Sequence, residues 1–251
     1  MKKTISFLLT AVLLATIISC QNSADQTKSS EDPTTVEVTP LVTRVLTAEE
    51  QAALTPEKIL AAFKAGNKRF MRNEITARDH SAQVRNSTMG QFPKAVILSC
   101  LDSRVPVEDV FDMGIGDIFV GRVAGNFVNE DLLGSMEFGC KVAGAKLILV
   151  MGHEHCGAVK AAIDDVELGN ITAMLSKIKP AVELVSDFKG EKTSKNDAFV
   201  HAVCESNVKN TINQIRINSP ILKEMEDNGE IKIVGAVYDL DDGEVTFLDN
   251  H

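Results

Sequence analysis

The pattern of apolar and polar positions divides the chain into a folded part that alternates two periods. Thr55-Pro56-Glu57 opens a helical stretch in which Ile59, Leu60, Phe63 and Phe70 form one apolar face through about Arg72. PKAVILSC, ending at Cys100, is a short continuous apolar run of the buried-strand type. DIFVGRVA (117–124) and AKLILVMGH (145–153) are two further strands of that kind. Helical patterns occupy roughly 130–143, 157–167, 170–186, 196–217 and 220–228. IKIVGAVYDL (231–240) and EVTFL (244–248) close the pattern as a hairpin turning on Asp241-Asp242-Gly243. Strands separated by helices predict an α/β fold with a mainly parallel central sheet of about four strands, flanked by helices. The last strand adds an antiparallel edge. Ligands of such sheets bind beyond the carboxyl ends of the strands, so the chemistry is sought just after PKAVILS and just after KLILVMG.

Before this pattern the chain reads differently. Lys2 and Lys3 precede an apolar run from Ile5 to Ile18 that is too short to span a bilayer comfortably, the form of an export signal. It ends in Ile17-Ile18-Ser19-Cys20, which resembles the cleavage box of bacterial lipoproteins, with Cys20 as the acylated residue. Residues 21–47 are rich in Ser, Thr, Asp, Glu and Pro without a sustained hydrophobic period, and cannot offset their chain entropy by burial. The expected organisation is a signal peptide over 1–19, a disordered tether over 20–47 and a folded domain over 48–251. The expected location is outside the cytoplasm, on the envelope side of a membrane, held there only through a lipid at Cys20.

Composition narrows the function. The 251 residues carry 26 basic and 35 acidic side chains, a net charge of −9, with no Lys/Arg block. That excludes a nucleic-acid binder relying on phosphate contacts, and zero Trp with one Tyr leaves few stacking platforms. Five cysteines are too few for a disulfide scaffold, so each needs its own account.

Two of them stand where ligands are expected. Cys100-Leu101-Asp102-Ser103-Arg104 follows the first strand, and His153-Glu154-His155-Cys156-Gly157 follows the third. Spacing of three lets His153 and Cys156 face one atom, and adjacent strands bring Cys100 to it. Two thiolates and an imidazole are a Zn²⁺ set, and three protein ligands leave a fourth position for water. HEHC is not HExxH, which excludes the zinc-protease arrangement. Cys140 and Cys204 lie in helical patterns as buried thiols, with a disulfide between them left open. Met136, Phe138 and Met174 are expected in the core. His80, His201 and His251 have no evident partner, and His155 reads as a helix-start or interface residue with proton relay as an alternative.

Together these residues resemble the beta-class carbonic anhydrases. CLDSRVP, RVAGN, GSMEF, VMGHEHCGAV and VGAVYDL follow that family's pattern in order, from about Thr55 to Leu248. The resemblance implies an enzyme, a lyase that interconverts CO₂ and bicarbonate through metal-bound hydroxide. It implies one Zn²⁺ per chain on Cys100, His153 and Cys156, and homodimers or higher oligomers with the site at the subunit interface. Asp102 would accept a hydrogen bond from the hydroxide and orient it, and Arg104 would hold Asp102 by a charge-assisted fork. In a closed form of the family the same aspartate becomes a fourth metal ligand. One subclass stabilises that form with bicarbonate beside a tryptophan; Ile97 stands at that position here, which favours a constitutively open site. Gln91 matches a glutamine whose amide bonds substrate, Phe119 and Phe138 match pocket aromatics, and Gly157 offers a backbone N–H near the metal. Two alternatives remain at this stage: hydrolysis of carbonyl sulfide or carbon disulfide on the same fold, and a non-catalytic zinc-binding lipoprotein.

Overall fold

A computed structural model describes residues 40–248. The expected export signal, Cys20, most of the tether and His251 lie outside these residues. The end of the expected tether, residues 40–47, is not free chain. Val42 donates its N–H to Ala77 O at 2.9 Å and accepts from Asp79 N at 3.0 Å, so it forms a bridge beside Arg78. Thr47 then caps a short helix, α1 (Ala48–Ala52), with Glu50 completing the reciprocal capping pair. Backbone pairing, which a polar composition does not reveal, is what orders this segment.

The helix that begins at Pro56 is α2 (Pro56–Met71), and Thr55 accepts from the Lys58 N–H at its start. It is followed by α3 (His80–Asn86), β1 (Ala95–Ser99), α4 (Val107–Val110) and β2 (Ile118–Arg122). Next come α5 (Glu130–Glu137), a π turn over Phe138–Val142 and β3 (Leu147–His153). The chain then runs through α6 (Gly157–Ile163), α7 (Gly169–Leu175), α8 (Lys179–Glu183), α9 (Asp197–Asn218) and α10 (Pro220–Asp227) to β4 (Lys232–Tyr238) and β5 (Val245–Phe247). The five strands stand in the order β2-β1-β3-β4-β5, all parallel except β5, which pairs antiparallel with β4. The expected fold class is therefore the observed one.

Successive strand residues feed opposite cores, as the pleat requires. Ala95, Ile97, Leu147, Leu149 and Met151 pack with Ile59 and Phe63 of α2 and with Val107 and Val110 of α4. Val96, Leu98, Ile148 and Val150 pack on the other side against α5, α9 and α10. A third cluster, containing Cys100, Cys156, Val159, Phe199 and Val203, fills the space at the carboxyl ends of β1 and β3.

Two helical expectations need correction. The pattern over 170–186 is not one helix, because it breaks between α7 and α8, where Lys177 and Ile178 bond back only three residues. Pro180 has no N–H to give the Ser176 carbonyl, and its ring would crowd that group in a continuous helix. The pattern over 130–143 ends in the π turn, with Ala143 N donating to Phe138 O at 2.9 Å. That turn leaves Phe138 51% exposed rather than in the core, whereas Met136 is buried and Met174 half-buried. The sequence reading also passed over α1, α3 and α4, which are too short to show a helical period.

Candidate metal centre

β1 and β3 pair in parallel with Ser99 opposite Met151, so the chain leaves both strands at neighbouring points. Cys100 is the first residue after β1, and His153 is the last residue of β3. Cys156 caps α6 with an extended backbone, after His155 takes the left-handed conformation (φ 51°) that turns the chain from strand to helix. The sulfurs of Cys100 and Cys156 and a ring nitrogen of His153 then lie within 4.8 Å of one another, all three residues buried. Parallel pairing and one tight turn are enough to assemble them.

The protonation chemistry of the three groups fits a cation. His153 Nδ1 lies 2.8 Å from the Glu154 carbonyl, which can only accept, so Nδ1–H is the donor there and Nε2 is the nitrogen turned to the cluster. That Nε2 is buried with no hydrogen-bond partner, an unfavourable state that a metal ion relieves. The two sulfurs are 3.8 Å apart. Either sulfur can donate in this hydrogen bond, and the contact lowers the Cys156 pKa below its ordinary value. The same bond, reinforced by burial, pushes Cys100 far up. A positive charge beside the two sulfurs would favour the thiolate form of both. Gly125 N adds a hydrogen bond to Cys100 Sγ at 3.2 Å.

Asp102 and Arg104 stand at the edge of this cluster, joined as expected. Asp102 Oδ1 accepts from the Arg104 backbone N–H at 2.9 Å and from Nε at 3.0 Å, and Oδ2 accepts from Nη2 at 2.8 Å. Hydrogen bonding to the guanidinium, set against partial burial, holds the Asp102 carboxyl at about 2. Asp102 Oδ2 is also 3.7 Å from His153 Nε2, so the carboxylate faces the open side of the three ligands. Gly157 starts α6 exposed, and a side chain built there would meet nothing within 4 Å.

Other expected pocket residues do not join the cluster within one chain. Phe119 and Phe138 line a groove of about 580 Å³ between β2 and α5, together with Val96, Leu132 and Met136, and no metal-ligand residue lines it. Gln91 is exposed in the loop before β1, and Ile97 is fully buried in that strand. Cys140 and Cys204 are free thiols in different packing environments, each pushed up to about 12 by burial. His201, which had no evident partner, lies 3.0 Å from Glu154 Oε1. His155 is 3.6 Å from Asp197, and Glu154, His155 and Asp241 bring three ligand-type atoms within 4.8 Å of one another on the rim. His80 is exposed at the start of α3.

Arg122 is the residue the sequence reading missed. Its guanidinium donates to the carbonyls of Cys100 at 3.0 Å, Asp102 at 3.3 Å and Val105 at 2.6 Å, fixing the loop that carries Cys100, Asp102 and Arg104. An arginine at the end of an apolar strand was the available signal, since a half-buried guanidinium needs acceptors.

A buried cluster of two cysteines and a histidine at the carboxyl ends of a parallel sheet, edged by an arginine-held carboxylate, defines an α/β protein with a candidate metal centre. The family profile for carbonic anhydrase matches residues 95–245. Carbonic anhydrase 2 of Mycobacterium tuberculosis is 34% identical over 198 residues, 75% of this chain and 91% of that protein. The carbonic anhydrase of Mycolicibacterium smegmatis is 34% identical over 192 residues, covering 73% of this chain and 89% of its own. A solved beta-carbonic anhydrase of Coccomyxa superposes with a TM-score of 0.58 at 25% identity, over 76% of this chain and 82% of that one. The chain belongs to the carbonic anhydrase family, with the beta-class fold.

Proposed function

We propose that this chain catalyses the reversible hydration of CO₂ to bicarbonate and a proton, with one Zn²⁺ held by Cys100, His153 and Cys156. The observation that carries the reading is the set of three buried ligand atoms within 4.8 Å, one of them an unpartnered imidazole nitrogen. Zinc bound there supplies a Lewis acid that ionises water near neutral pH. Everything else falls to the chain's own residues. Two thiolates cancel the formal charge of the ion, so the surrounding groups must assist. The Gly125 N–H withdraws charge from one sulfur. Asp102 stays ionised at neutral pH and, with Arg104 holding both its oxygens, presents a fixed acceptor beside the ligand set. Such an acceptor would orient a proton-bearing group, and the arginine would hold the carboxylate in place beside the ligand set. CO₂ hydration by stopped flow, with zinc determined on the same sample, tests the reading. Activity with about one zinc per chain is the expected result; a zinc-loaded chain without activity at any pH overturns it. Neither alternative substrate chemistry nor a purely binding role has an observation in its favour.

Phe119, Phe138 and Gln91 serve a substrate pocket only through a second copy of the chain, because within one chain they lie apart from the ligands. β2 is an edge strand of the sheet, and exposed Phe138 and the groove beside it give that edge an apolar surface. A homodimer built on this edge places one protomer's aromatics at its partner's metal. We further infer export and acylation at Cys20, supported by the basic start, the apolar run and Ile17-Ile18-Ser19-Cys20. Cys20→Ser is expected to abolish labelling by a radioactive fatty acid; equal labelling of that variant removes the anchor.

A further inference from the structure

The centre is gripped from behind by one face of α9. His201, Cys204 and Asn207 stand one turn apart on this helix, and each bonds a different site-bearing segment. His201 meets the Glu154 carboxylate at 3.0 Å, and Cys204 Sγ donates to the His153 carbonyl at 3.3 Å. Asn207, 1% exposed, donates from Nδ2 to the Gly125 carbonyl at 2.7 Å. The amide orientation follows from chemistry, since a carbonyl can only accept.

The Asn207 contact bears directly on a ligand. Gly125 lies in the left-handed region (φ 82°), and Asn126 follows it at φ 39°. A side chain at 125 would stand 2.3 Å from Ile178 Cδ1, so only glycine fits this turn. The turn aims the Gly125 N–H at Cys100 Sγ, 3.2 Å away, while its carbonyl points to α9. A flexible residue such as glycine does not hold one orientation unaided. Among the described residues Asn207 is the only donor to that carbonyl. We propose that Asn207 is a positioning residue for the metal centre: it clamps the Gly125 peptide so that its N–H stays bonded to the Cys100 thiolate. An N–H···S bond lowers the electron density of the sulfur, leaving more charge on the cation to acidify water. Asn207 touches neither metal nor substrate.

The inference rests on Cys100 being a metal ligand, and its test separates the two. The full chain is loaded with Co²⁺, and the thiolate-to-cobalt charge-transfer band is recorded in the near ultraviolet. Release of zinc to a chelator is timed on the zinc-loaded protein. Asn207→Leu keeps the size and removes the donor; the band is expected to move to lower energy, with zinc lost about tenfold faster or more. Ile215→Ala, a cavity variant on the same helix but in the core cluster that holds no ligand residue, is expected to lower the melting temperature while leaving the band in place. Asn207→Ser, smaller and still able to donate, reads the same quantity with a smaller shift should the leucine variant fail to fold. An unchanged band and zinc release in a folded Asn207 variant overturn the proposal, as does an equal band shift in Ile215→Ala. A wild-type protein without any thiolate band would instead sink the metal-site reading itself.

Discussion

At the scale of single residues, Asp102 is held by Arg104 through both carboxylate oxygens beside the three buried ligand atoms. Asp102→Asn keeps the shape of the side chain but not its charge. It is expected to retain zinc while losing roughly 10–100-fold in turnover, the usual cost of removing a partner behind a metal site. Near-normal turnover would remove the orienting role. Cys156→Ala should bring zinc content from about one per chain to near zero, read by elemental analysis, because two remaining groups cannot complete a tetrahedral site. Asp112 gives a pH prediction away from the metal. Its carboxylate is fully buried, accepts from the Thr76 N–H at 2.9 Å and hydroxyl at 2.7 Å, and pairs with Arg69 and Arg78 at 2.6 Å each. Burial alone would raise its pKa, but these bonds outweigh it and hold the group at about 2. A depressed carboxyl stabilises the fold above its unfolded pKa of about 4 and loses that contribution as pH falls toward 2. The contribution at neutral pH is about 2 kcal/mol. Urea unfolding of Asp112→Asn should show lower stability at pH 7 and a flatter decline between pH 4 and 2. Parallel curves for the two proteins would show that Asp112 does not carry this dependence.

Elements were legible in proportion to their length and burial. The continuous apolar runs marked β1, β3 and β4 because both faces of a covered parallel sheet are buried, whereas α9 was legible because its buried positions recur every three or four residues. Interruptions were not legible, since apolar spacing over 170–186 stays helical across the break that Pro180 enforces. The contact between β3 and α9 is a second case. Gly152 lies under α9, and a Cβ there would stand 2.8 Å from Cys204 Sγ and 2.9 Å from Val208 Cγ2. Gly152→Ala should therefore destabilise by about 1–3 kcal/mol through overpacking. Adding Cys204→Ala should recover part of that loss in denaturant titrations. If the double variant is merely the sum of the two singles, the crowding lies elsewhere.

For the whole molecule, the question is what covers the β2 edge. The groove holding Phe119 and Phe138 is lined by none of the chain's own ligand residues, and the proposed dimer would bury it. Light scattering on the purified chain should give at least twice the 27.2 kDa of one chain. Phe138→Glu, which sets a charge at an exposed apolar site, should lower both the mass and the activity while zinc stays bound. A monomer with full activity would remove the partner from the site.

The sheet, most helices and the three candidate ligand residues could be read along the chain, because each depends on local period or on chemistry carried within a few positions. Cys100 and the His153–Cys156 pair could be linked only because adjacent parallel strands have neighbouring ends. Tertiary structure decided the rest. No local pattern sets Arg122 against the Cys100 and Asp102 carbonyls, brings Asn207 to Gly125 across 82 residues, or exposes Phe138 through a π turn. Those contacts arise from how helices settle on a sheet, where distant residues meet through packing and hydrogen-bond satisfaction rather than spacing along the chain.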